Sequence, residues 1–342
     1  MISIIIPALN ESATIGPLLK HLHDLREHAE QGYSQEQRKG MEKRKGREKR
    51  KGQENGSPED LEIIVVDGSP TGDTVKNIKD PKIITLCSSS GRGVQMNTGA
   101  NNAKGEILLF LHADTYLPPD GFRIITSTLS DSRISAGAFS LGAFATDLSP
   151  SKSNNPPNLK SASSASPHTP LPPPSSSTSV STGSTTSCHS SPLPLESSES
   201  TKKLNRPTVY HKINHLNISL RIIAKLTTLR SRITRIPYGD QALFIRRSVF
   251  DEMGGFREIP IMEDLDLMRR MRKNGHRIRI VKEKVLTSSR RWEKEGIMRC
   301  TLRNWYLRFR FLTGTSAEAL VKRYPPHGNV IDQNMENVDS GK

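Results

Sequence analysis

Residues 106–121 read EILLFLHADTYLPPDG. An apolar run of the length of one buried strand leads directly into His112 and Asp114. Continuous apolarity, rather than alternation, is typical of a parallel strand that is covered on both faces. Polar side chains that follow such a strand lie at its carboxyl end, where open α/β sheets bind their ligands. The stretch therefore predicts an α/β protein with His112 and Asp114 at its ligand site.

Similar apolar runs recur on both sides of this stretch, and helix patterns separate them. The predicted strands cover 2–7, 61–67, 82–87, 106–112, 136–144, 241–246 and 277–286. The predicted helices cover 12–25, 91–103, 119–129, 212–232 and 263–273. This alternation predicts right-handed crossovers and a doubly wound, mostly parallel sheet with a Rossmann-like first half.

Two segments interrupt this rhythm and have the composition of disordered insertions. Lys, Arg, Glu and Gly dominate residues 31–59, and Ser, Thr and Pro dominate residues 147–207. Too few apolar residues are present to offset the entropy of ordering the chain. The alternative for 31–59 is a basic patch for nucleic acid or acidic lipid. The predicted domain thus consists of 1–30 and 60–146, followed by 208–325 with C-terminal helices, and it ends in a flexible tail (326–342).

Charge and cysteine content narrow the class of protein. The formal net charge is +15, which favours anionic partners such as nucleotides, nucleic acid or an acidic membrane face. Cys87, Cys188 and Cys300 show no paired spacing, which indicates reduced thiols in a cytosolic protein. Met1 leads directly into an apolar strand, so we expect no signal peptide. No apolar run approaches the length that spans a bilayer, so any membrane contact is expected to be peripheral.

Polar residues also follow the first two strands and precede the fourth. The candidates for binding a nucleotide are Pro7, Asn10, Glu11, Asp67, Arg92, Gln95 and Asn97. The first four come at one edge of the predicted sheet, where a carboxylate can accept hydrogen bonds from a base or ribose. The alternative is that Asn10 and Asp67 only cap the helices that follow. Arg92 is a candidate for a phosphate, or else an ordinary surface residue.

His112 and Asp114 are the candidate metal ligands. Mg²⁺ and Mn²⁺ prefer oxygen ligands, often one or two carboxylates together with phosphate oxygens. Asp114 suits that role, and His112 either adds a nitrogen ligand suited to Mn²⁺ or donates a hydrogen bond to Asp114. Cys188 and His189 lie in the Ser-rich insertion and make no closed metal site.

Glu263 and Asp264 open a helix just after a Gly-Gly-Phe turn. They are either partners of the helix dipole or carboxylates that deprotonate an acceptor hydroxyl. Asp266 is interpreted as solvent-facing or structural. Arg290, Arg291 and Trp292 follow the last strand and supply cations for a diphosphate and a ring for sugar or lipid.

In these motifs the chain resembles inverting, nucleotide-sugar-dependent glycosyltransferases of family 2, which have the GT-A fold. More narrowly, it is similar to the group called radical-SAM/selenodomain-associated transferase 2, which is related to diaponeurosporenoate glycosyltransferases. The resemblance covers nearly all of the chain outside the two insertions. The stretches that carry it are SIIIPALNESATI, IIVVDGSPTGDT, GRGVQMNTGANNAKGEILLFLHADT, YGDQALFIRRSVFDEMGGF, IPIMEDLDLMRRM and TSSRRW.

The resemblance implies that 1–30 and 60–146 form the nucleotide-sugar-binding half of the domain and 208–325 the acceptor half. It also implies roles residue by residue. The positions that match nucleotide-binding residues are Pro7, Asn10, Glu11 and Asp67. Another matching stretch contains Asp240 and Gln241, which are candidates for binding the nucleotide sugar. Asp114 matches the last acid of the D-x-D metal motif, whereas His112 replaces the first acid. Asp264 matches the proposed general base, with Glu263 beside it. Arg291 and Trp292 match the end of the Q-x-x-R-W motif, but Ser288 replaces its Gln, which argues against a processive polymerase.

The sequence thus predicts an inverting glycosyltransferase with Mn²⁺ or Mg²⁺ as cofactor. We expect a nucleotide-sugar donor and an acceptor hydroxyl or carboxylate, lipid-like or carotenoid-like in character. The alternatives are a sugar nucleotidyltransferase, although a Gly-rich N-terminal loop is absent, and a basic nucleic-acid-binding protein, although no such motif is present. Aromatic and basic residues mix from Trp292 onward, which is typical of interfacial helices. They predict a cytoplasmic protein in peripheral contact with an anionic membrane, at the inner face of the cell membrane, or else a packed terminal helix.

Overall fold

The computed structural model describes residues 1–44, 61–144 and 218–324, and the side chains of 1–29, 61–142 and 218–324. These residues belong to one compact unit made of Met1–Thr146 and Arg206–Lys342. A second unit, Asp147–Asn205, lies outside the described residues. The predicted insertion at 147–207 and the predicted tail at 326–342 therefore also lie outside them.

Eight strands form one sheet in the part of the chain that the structure describes. In chain order they are β1 (Ile2–Ala8), β2 (Leu61–Asp67), β3 (Ile83–Cys87), β4 (Ile107–Phe110), β5 (Thr115–Tyr116), β6 (Ala136–Phe144), β7 (Leu243–Arg246) and β8 (Ile278–Ser288). Their order in the sheet is β3-β2-β1-β4-β7-β6-β8-β5. The first four strands of that order are parallel, while β7 is antiparallel to both of its neighbours.

Nine α-helices connect and cover these strands within the described ranges. They are α1 (Ser12–Arg44), α2 (Arg92–Asn102), α3 (Gly121–Leu129), α4 (Ile218–Thr234), α5 (Arg247–Glu252), α6 (Glu263–Lys273), α7 (Arg290–Glu295), α8 (Ile297–Leu312) and α9 (Ala317–Val321). The disordered insertion at 31–59 stays a prediction, and its residues 45–59 lie outside the described residues. α1 continues to Arg44 and so includes residues 31–44. These residues are rich in Gln, Glu, Arg and Lys, which have high helix propensity and extend a helix that the core has already nucleated.

Two apolar cores lie on opposite faces of the sheet. On one face α1 and α3 pack through Leu18, Leu22 and Ile125. On the other face α2 and α6 pack through Met96 and Leu267. The predicted doubly wound α/β fold is confirmed, because helices cover both faces of a sheet whose first half is parallel.

Strand pairing brings distant segments to one edge of the sheet. Because β1, β2 and β4 are parallel, their carboxyl ends share this edge. β7 runs the opposite way, and its first residue Leu243 pairs with Phe110 at the end of β4. Thr115 in β5 pairs with Thr287 near the end of β8. The residues before β7 and after β8 therefore come close to the loop that carries His112 and Asp114.

Candidate active site

Three aspartates converge at this edge of the sheet. Asp114 follows β4, Asp240 precedes β7 and Asp264 opens α6. The carboxylates of Asp264 and Asp114 both raise the pKa of Asp240, so the three side chains share one electrostatic environment. The sequence singled out all three, and the structure brings them together.

The carboxyl group of Asp240 is buried with too few favourable contacts to offset the cost of burying its charge. Its Oδ1 is buried and accepts no hydrogen bond from any described residue. Burial, reinforced by the neighbouring Asp264, raises the pKa of Asp240 to about 7, against the opposing effect of Arg230. A buried polar atom left without a partner costs about 1–3 kcal/mol. The arrangement favours a cation or a hydrogen-bond donor from a ligand at this point.

Asp264 is held in place by the main chain. Its Oδ2 accepts a hydrogen bond of 2.6 Å from the N–H of Gly239, and its Oδ1 accepts one of 2.7 Å from the N–H of Leu265. A Cβ on Gly239 would lie 2.8 Å from Nε2 of His112 and 3.4 Å from Oδ2 of Asp264. Gly239 thus permits the imidazole and the carboxylate to approach its backbone from two sides.

Glu263 forms a buried ion pair with Arg92. Nε of Arg92 lies 2.9 Å from Oε1 of Glu263, whose side chain is only 3% exposed. Burial raises the pKa of Glu263 while Arg92 opposes the shift, and the same pair raises the pKa of Arg92. Oε2 of Glu263 is buried and has no hydrogen-bond partner within the described part of the chain. Glu263 is therefore anchored to α2, and Arg92 is more than a surface residue.

His112 is held in its neutral form. Burial lowers the pKa of His112 to about 4, and the nearby Arg92 guanidinium contributes to this shift. A neutral imidazole is the form that binds a metal ion or accepts a proton. Asp114 has a raised pKa because of burial, and Arg290 partly offsets this effect.

Arg290 connects two of the predicted site residues. Its Nη2 donates to Oδ2 of Asp114 at 3.3 Å and to Oε2 of Glu11 at 3.4 Å. The pairing of β5 with β8 explains this contact, because Arg290 begins α7 just after the end of β8. Arg290 is thus the cation placed between the carboxylates of Glu11 and Asp114.

Arg291 and Trp292 occupy a different environment. Arg291 pairs with Glu295 at 3.3 Å and its guanidinium stacks on the ring of Tyr324 at 4.1 Å. Trp292 is half-buried, and its Nε1 has no hydrogen-bond partner among the described residues. The predicted binding roles of both residues stay predictions, whereas Arg290 is the neighbour of Asp114.

Asp67 and Gln95 form hydrogen bonds with main-chain groups that stabilise the fold. Asp67 is fully buried and accepts hydrogen bonds from the N–H groups of Ser69, Thr74 and Val75, which together lower its pKa in spite of its burial. Gln95, also buried, donates to the carbonyls of Ala8 and Val66. For Asp67 this is the capping role that the sequence left open as the alternative. Contact of either residue with a nucleotide remains a prediction.

Asn97 and Gln241 also bind the main chain. Asn97 donates to the carbonyl of Phe256 at 2.8 Å and accepts from its N–H at 2.9 Å. Gln241 is fully buried, donates to the carbonyl of Phe139 and accepts from the hydroxyl of Ser231. These contacts align the loops of the site, and the predicted contacts with a nucleotide sugar stay predictions.

Left-handed backbone conformations cluster at the site. Asn10, Ala242 and Met262 have φ values of 57°, 50° and 67°. Each adjoins a site residue: Asn10 precedes Glu11, Ala242 follows Gln241, and Met262 precedes Glu263. Non-glycine residues in this region cost of order 1–3 kcal/mol and tend to occur at functional sites. Asn10 is exposed at the edge, while Pro7 lies within β1 opposite Val66.

The residues fit a divalent cation only with help from a ligand. Among the described residues no group of three or more His, Cys, Asp or Glu side chains is placed to hold a metal ion. Asp114 nevertheless supplies carboxylate oxygens, and the neutral His112 supplies a nitrogen donor. Such a set suits an ion that completes its coordination with the oxygens of a diphosphate.

A family model also matches the part of the chain that carries the first half of the site. Residues 3–139 match glycosyl transferase family 2. The match includes Asp67, Arg92, His112 and Asp114, and it supports a glycosyl transfer function. The α/β arrangement of the structure agrees with the GT-A fold that the resemblance implies.

Solved structures with similarity to the chain include several glycosyltransferases. TarS 1–349 from S. aureus has a TM-score of 0.42 and 14% identity over 84% of this chain and 60% of that chain. The same protein in complex with UDP-GlcNAc has a TM-score of 0.42 and 15% identity over 84% of this chain and 58% of that chain. The mannosyltransferase PcManGT from Pyrobaculum calidifontis, in complex with GDP-Man and Mn²⁺, has a TM-score of 0.47 and 14% identity over 96% of this chain and 65% of that chain. The chain thus spans less than two thirds of the length of these proteins. A comparison with curated proteins finds no matching sequence.

Proposed function

We propose that the chain is an inverting glycosyltransferase that moves a sugar from a nucleotide-sugar donor to an acceptor hydroxyl or carboxylate. The observation that carries the proposal is the convergence of Asp114, Asp240 and Asp264 at the carboxyl edge of a sheet whose first half matches glycosyl transferase family 2. Ligands of open α/β sheets bind at this edge. The carboxylates there provide both a place for a cation and a proton acceptor.

In the proposed reaction the acceptor oxygen attacks the anomeric carbon from the face opposite the nucleotide. A bond forms between that oxygen and the carbon, and the bond from the carbon to the diphosphate oxygen breaks. The acceptor proton passes to Asp264, which two main-chain N–H groups hold in a fixed orientation. Each of its oxygens retains a lone pair for this purpose, since a carboxylate has about four acceptor sites.

The leaving diphosphate would be met by positive charge. A divalent cation bound with the donor would screen the diphosphate charge and stabilise the leaving group. Asp114 would hold the ion, with His112 and Asp240 as the neighbouring donors. Arg290, now paired with Glu11 and Asp114, is within reach of the same region, and Arg92 adds a second guanidinium beside Glu263.

The acceptor class follows from the resemblance to the radical-SAM/selenodomain-associated group and to carotenoid-acid glycosyltransferases. A lipid-like acceptor with a hydroxyl or carboxylate is therefore proposed. A carboxylate is already ionised near neutral pH, so Asp264 would then position the acceptor rather than deprotonate it. Peripheral membrane contact would bring such an acceptor to the site.

A binding experiment with purified protein tests the donor assignment. Thermal unfolding is measured with UDP-, GDP- and dTDP-sugars, each with Mn²⁺, Mg²⁺ or EDTA. One donor at about 100 times its dissociation constant is expected to stabilise the fold by about 2.7 kcal/mol. The stereochemistry of the product, determined by NMR with the donor that binds, tests inversion. If no nucleotide sugar shifts the transition under any of these conditions, the proposed function is wrong.

A further inference from the structure

Helix α4 has an apolar stripe that faces solvent. Its five members are between 46% and 72% exposed, although all are large aliphatic residues. They are Ile218, Ile222, Leu226, Leu229 and Ile233. At about 100° per residue they fall within an arc of about 80°. The opposite face of α4 packs on β6, where the hydroxyl of Thr228 accepts a hydrogen bond from the N–H of Leu141.

Helix α8 has a second exposed apolar stripe. Its members are Met298, Leu302, Trp305, Tyr306, Phe309 and Leu312, which are between 37% and 70% exposed. They fall within an arc of about 120°, and the other face of the helix buries Cys300 and Leu307. α4 and α8 contact each other, and Arg230 of α4 and Arg308 of α8 both lie against the ring of Tyr238. The two stripes are therefore exposed on neighbouring helices.

The charges beside these stripes have one sign. Neither α4 nor α8 contains an acidic residue. On α4 the exposed Arg221, Lys225 and Arg232 lie along one flank of the stripe, and on α8 Arg299 and Arg310 do so. An open cleft at the end of α4 continues the basic character, since Arg235 and Arg272 line it and Arg272 donates to the carbonyl of Thr234.

We propose that the stripes of α4 and α8 form a docking surface for an anionic lipid membrane. Contiguous exposed apolar residues mark interaction sites, and apolar stripes with basic flanks are typical of helices that lie in the membrane interface. A second copy of the chain fits poorly, because a self-complementary contact would bring the same positive flanks together. None of the helices in the described part of the chain has the length and apolarity of a membrane span.

The position of Tyr238 links this surface to the site. Tyr238 directly precedes Gly239 and Asp240, and it is held between Arg230 of α4 and Arg308 of α8. A membrane bound by the two helices would thus lie next to the loop that carries Asp240. The docking surface itself does not depend on the proposed chemistry, so the two proposals can fail separately.

The test uses the full chain and vesicles of phosphatidylcholine with or without phosphatidylserine. We expect co-sedimentation with the anionic vesicles at low salt and little with the neutral ones. Leu229→Ser with Phe309→Ser should weaken partitioning by about tenfold or more, because large apolar side chains leave the lipid. Arg221→Glu with Lys225→Glu should weaken it by about tenfold or more. The matched control, Lys79→Glu with Lys104→Glu, makes the same charge change on exposed residues elsewhere and should bind like wild type.

Tryptophan fluorescence gives an independent readout. The chain has two tryptophans, and Trp305 is 56% exposed on α8 whereas Trp292 is half-buried. Brominated anionic lipid should quench Trp305, and the quenching should be lost in Trp305→Phe. The proposal is wrong if the protein does not bind vesicles, or if the Leu229/Phe309 variant binds them as well as wild type does. It is also wrong if the protein forms a dimer through these apolar residues and binds no vesicles. Asp264→Asn should still bind vesicles, which separates this result from a failure of the proposed chemistry.

Discussion

Gly239 lies so close to His112 that a Cβ added to it would be 2.8 Å from Nε2 of the imidazole. Its N–H also donates to Oδ2 of Asp264. Position 239 therefore requires glycine, because two site residues approach its backbone closely.

This contact predicts that Gly239→Ala lowers turnover by about tenfold or more, because His112 must shift within a packed site. The matched control is Gly16→Ala on α1, where an added Cβ meets nothing within 4 Å. Gly16→Ala should keep full activity, because Gly16 is exposed on α1. Initial rates and thermal unfolding measure both variants. Equal activity of the two variants would contradict the placement of His112.

The three acids at the start of α6 should respond differently to amide substitution. Asp264→Asn is expected to lower kcat by about 10²–10⁴-fold, as for loss of a positioned base. Glu263→Gln should have a milder effect on kcat, because Glu263 is paired with Arg92. If Glu263→Gln proves to be the inactive variant, the base must be reassigned. If the acceptor is a carboxylate, the effect of Asp264→Asn should be weak.

Asp266 is expected to matter for stability rather than for turnover. It is 8% exposed and pairs with Arg257 at 3.3 Å and with Arg270 at 2.7 Å. The expectation that it is structural agrees with these contacts. Asp266→Asn should destabilise the protein by about 1.5–3 kcal/mol, the range for a hydrogen bond to a charged group. Chemical denaturation measures this loss, and kcat should stay near that of wild type.

Asp240 predicts a pH dependence of stability. Its pKa is raised to about 7 in the folded protein, above the usual value for Asp. Between about pH 4 and pH 7 the folded state keeps a proton that the unfolded state has lost, so the free energy of unfolding falls as the pH rises. Asp240→Asn should remove this fall and be more stable than wild type at pH 8 by about 1–3 kcal/mol. The difference is measured in EDTA, and parallel pH profiles for both proteins would contradict the burial of an uncompensated carboxyl.

The adjacent arginines Arg290 and Arg291 offer a matched pair. Arg290 lies 3.3 Å from Asp114, whereas Arg291 pairs with Glu295. Arg290→Gln is expected to raise the KM for the donor by about tenfold, since one charge-assisted contact to a phosphate is lost. Arg291→Gln should change the KM far less and act mainly on the packing of Tyr324. The reverse ranking would assign the donor contact to Arg291, as the Q-x-x-R-W motif implies.

Asp114 is expected to carry the dependence on a cation. Asp114→Ala should abolish the Mn²⁺-dependent part of the thermal shift caused by the donor while the protein remains folded by circular dichroism. Asn10→Ala, on the exposed edge of the site, should retain the metal-dependent shift. Donor binding that is the same with EDTA as with Mn²⁺ would remove the metal from the proposal.

Much of the fold could be predicted from local patterns. β2, β6 and α6 have the predicted bounds, and β1 and α2 differ from prediction by one residue at an end. Their apolar runs are long and periodic, so hydrophobic burial alone selects the element. The two-residue strand β5 and the short helices α5, α7 and α9 carry no such pattern. They are defined by their neighbours in the folded chain.

The sequence predicts which acidic residues belong to the candidate site, but it does not predict which groups the site residues contact. Asp114 and Asp264 follow or open recognisable elements, so the sequence by itself identified them. The sequence predicts ligand contacts for Gln95, Asn97 and Gln241, and it does not predict the main-chain carbonyls that they also bind. An amide side chain suits either partner equally well, and the choice depends on which groups the fold leaves unpaired nearby.

What the sequence by itself determined is the order of the elements, the doubly wound α/β class and the acids at the ends of strands and helices, because each depends on neighbours in the chain. Tertiary structure alone decided the rest. The antiparallel pairing of β7 with β4 places Asp240 near Asp114. The pairing of β5 with β8 brings Arg290, rather than Arg291, to Glu11. Strand register acts between residues far apart in the sequence, so no local pattern carries it.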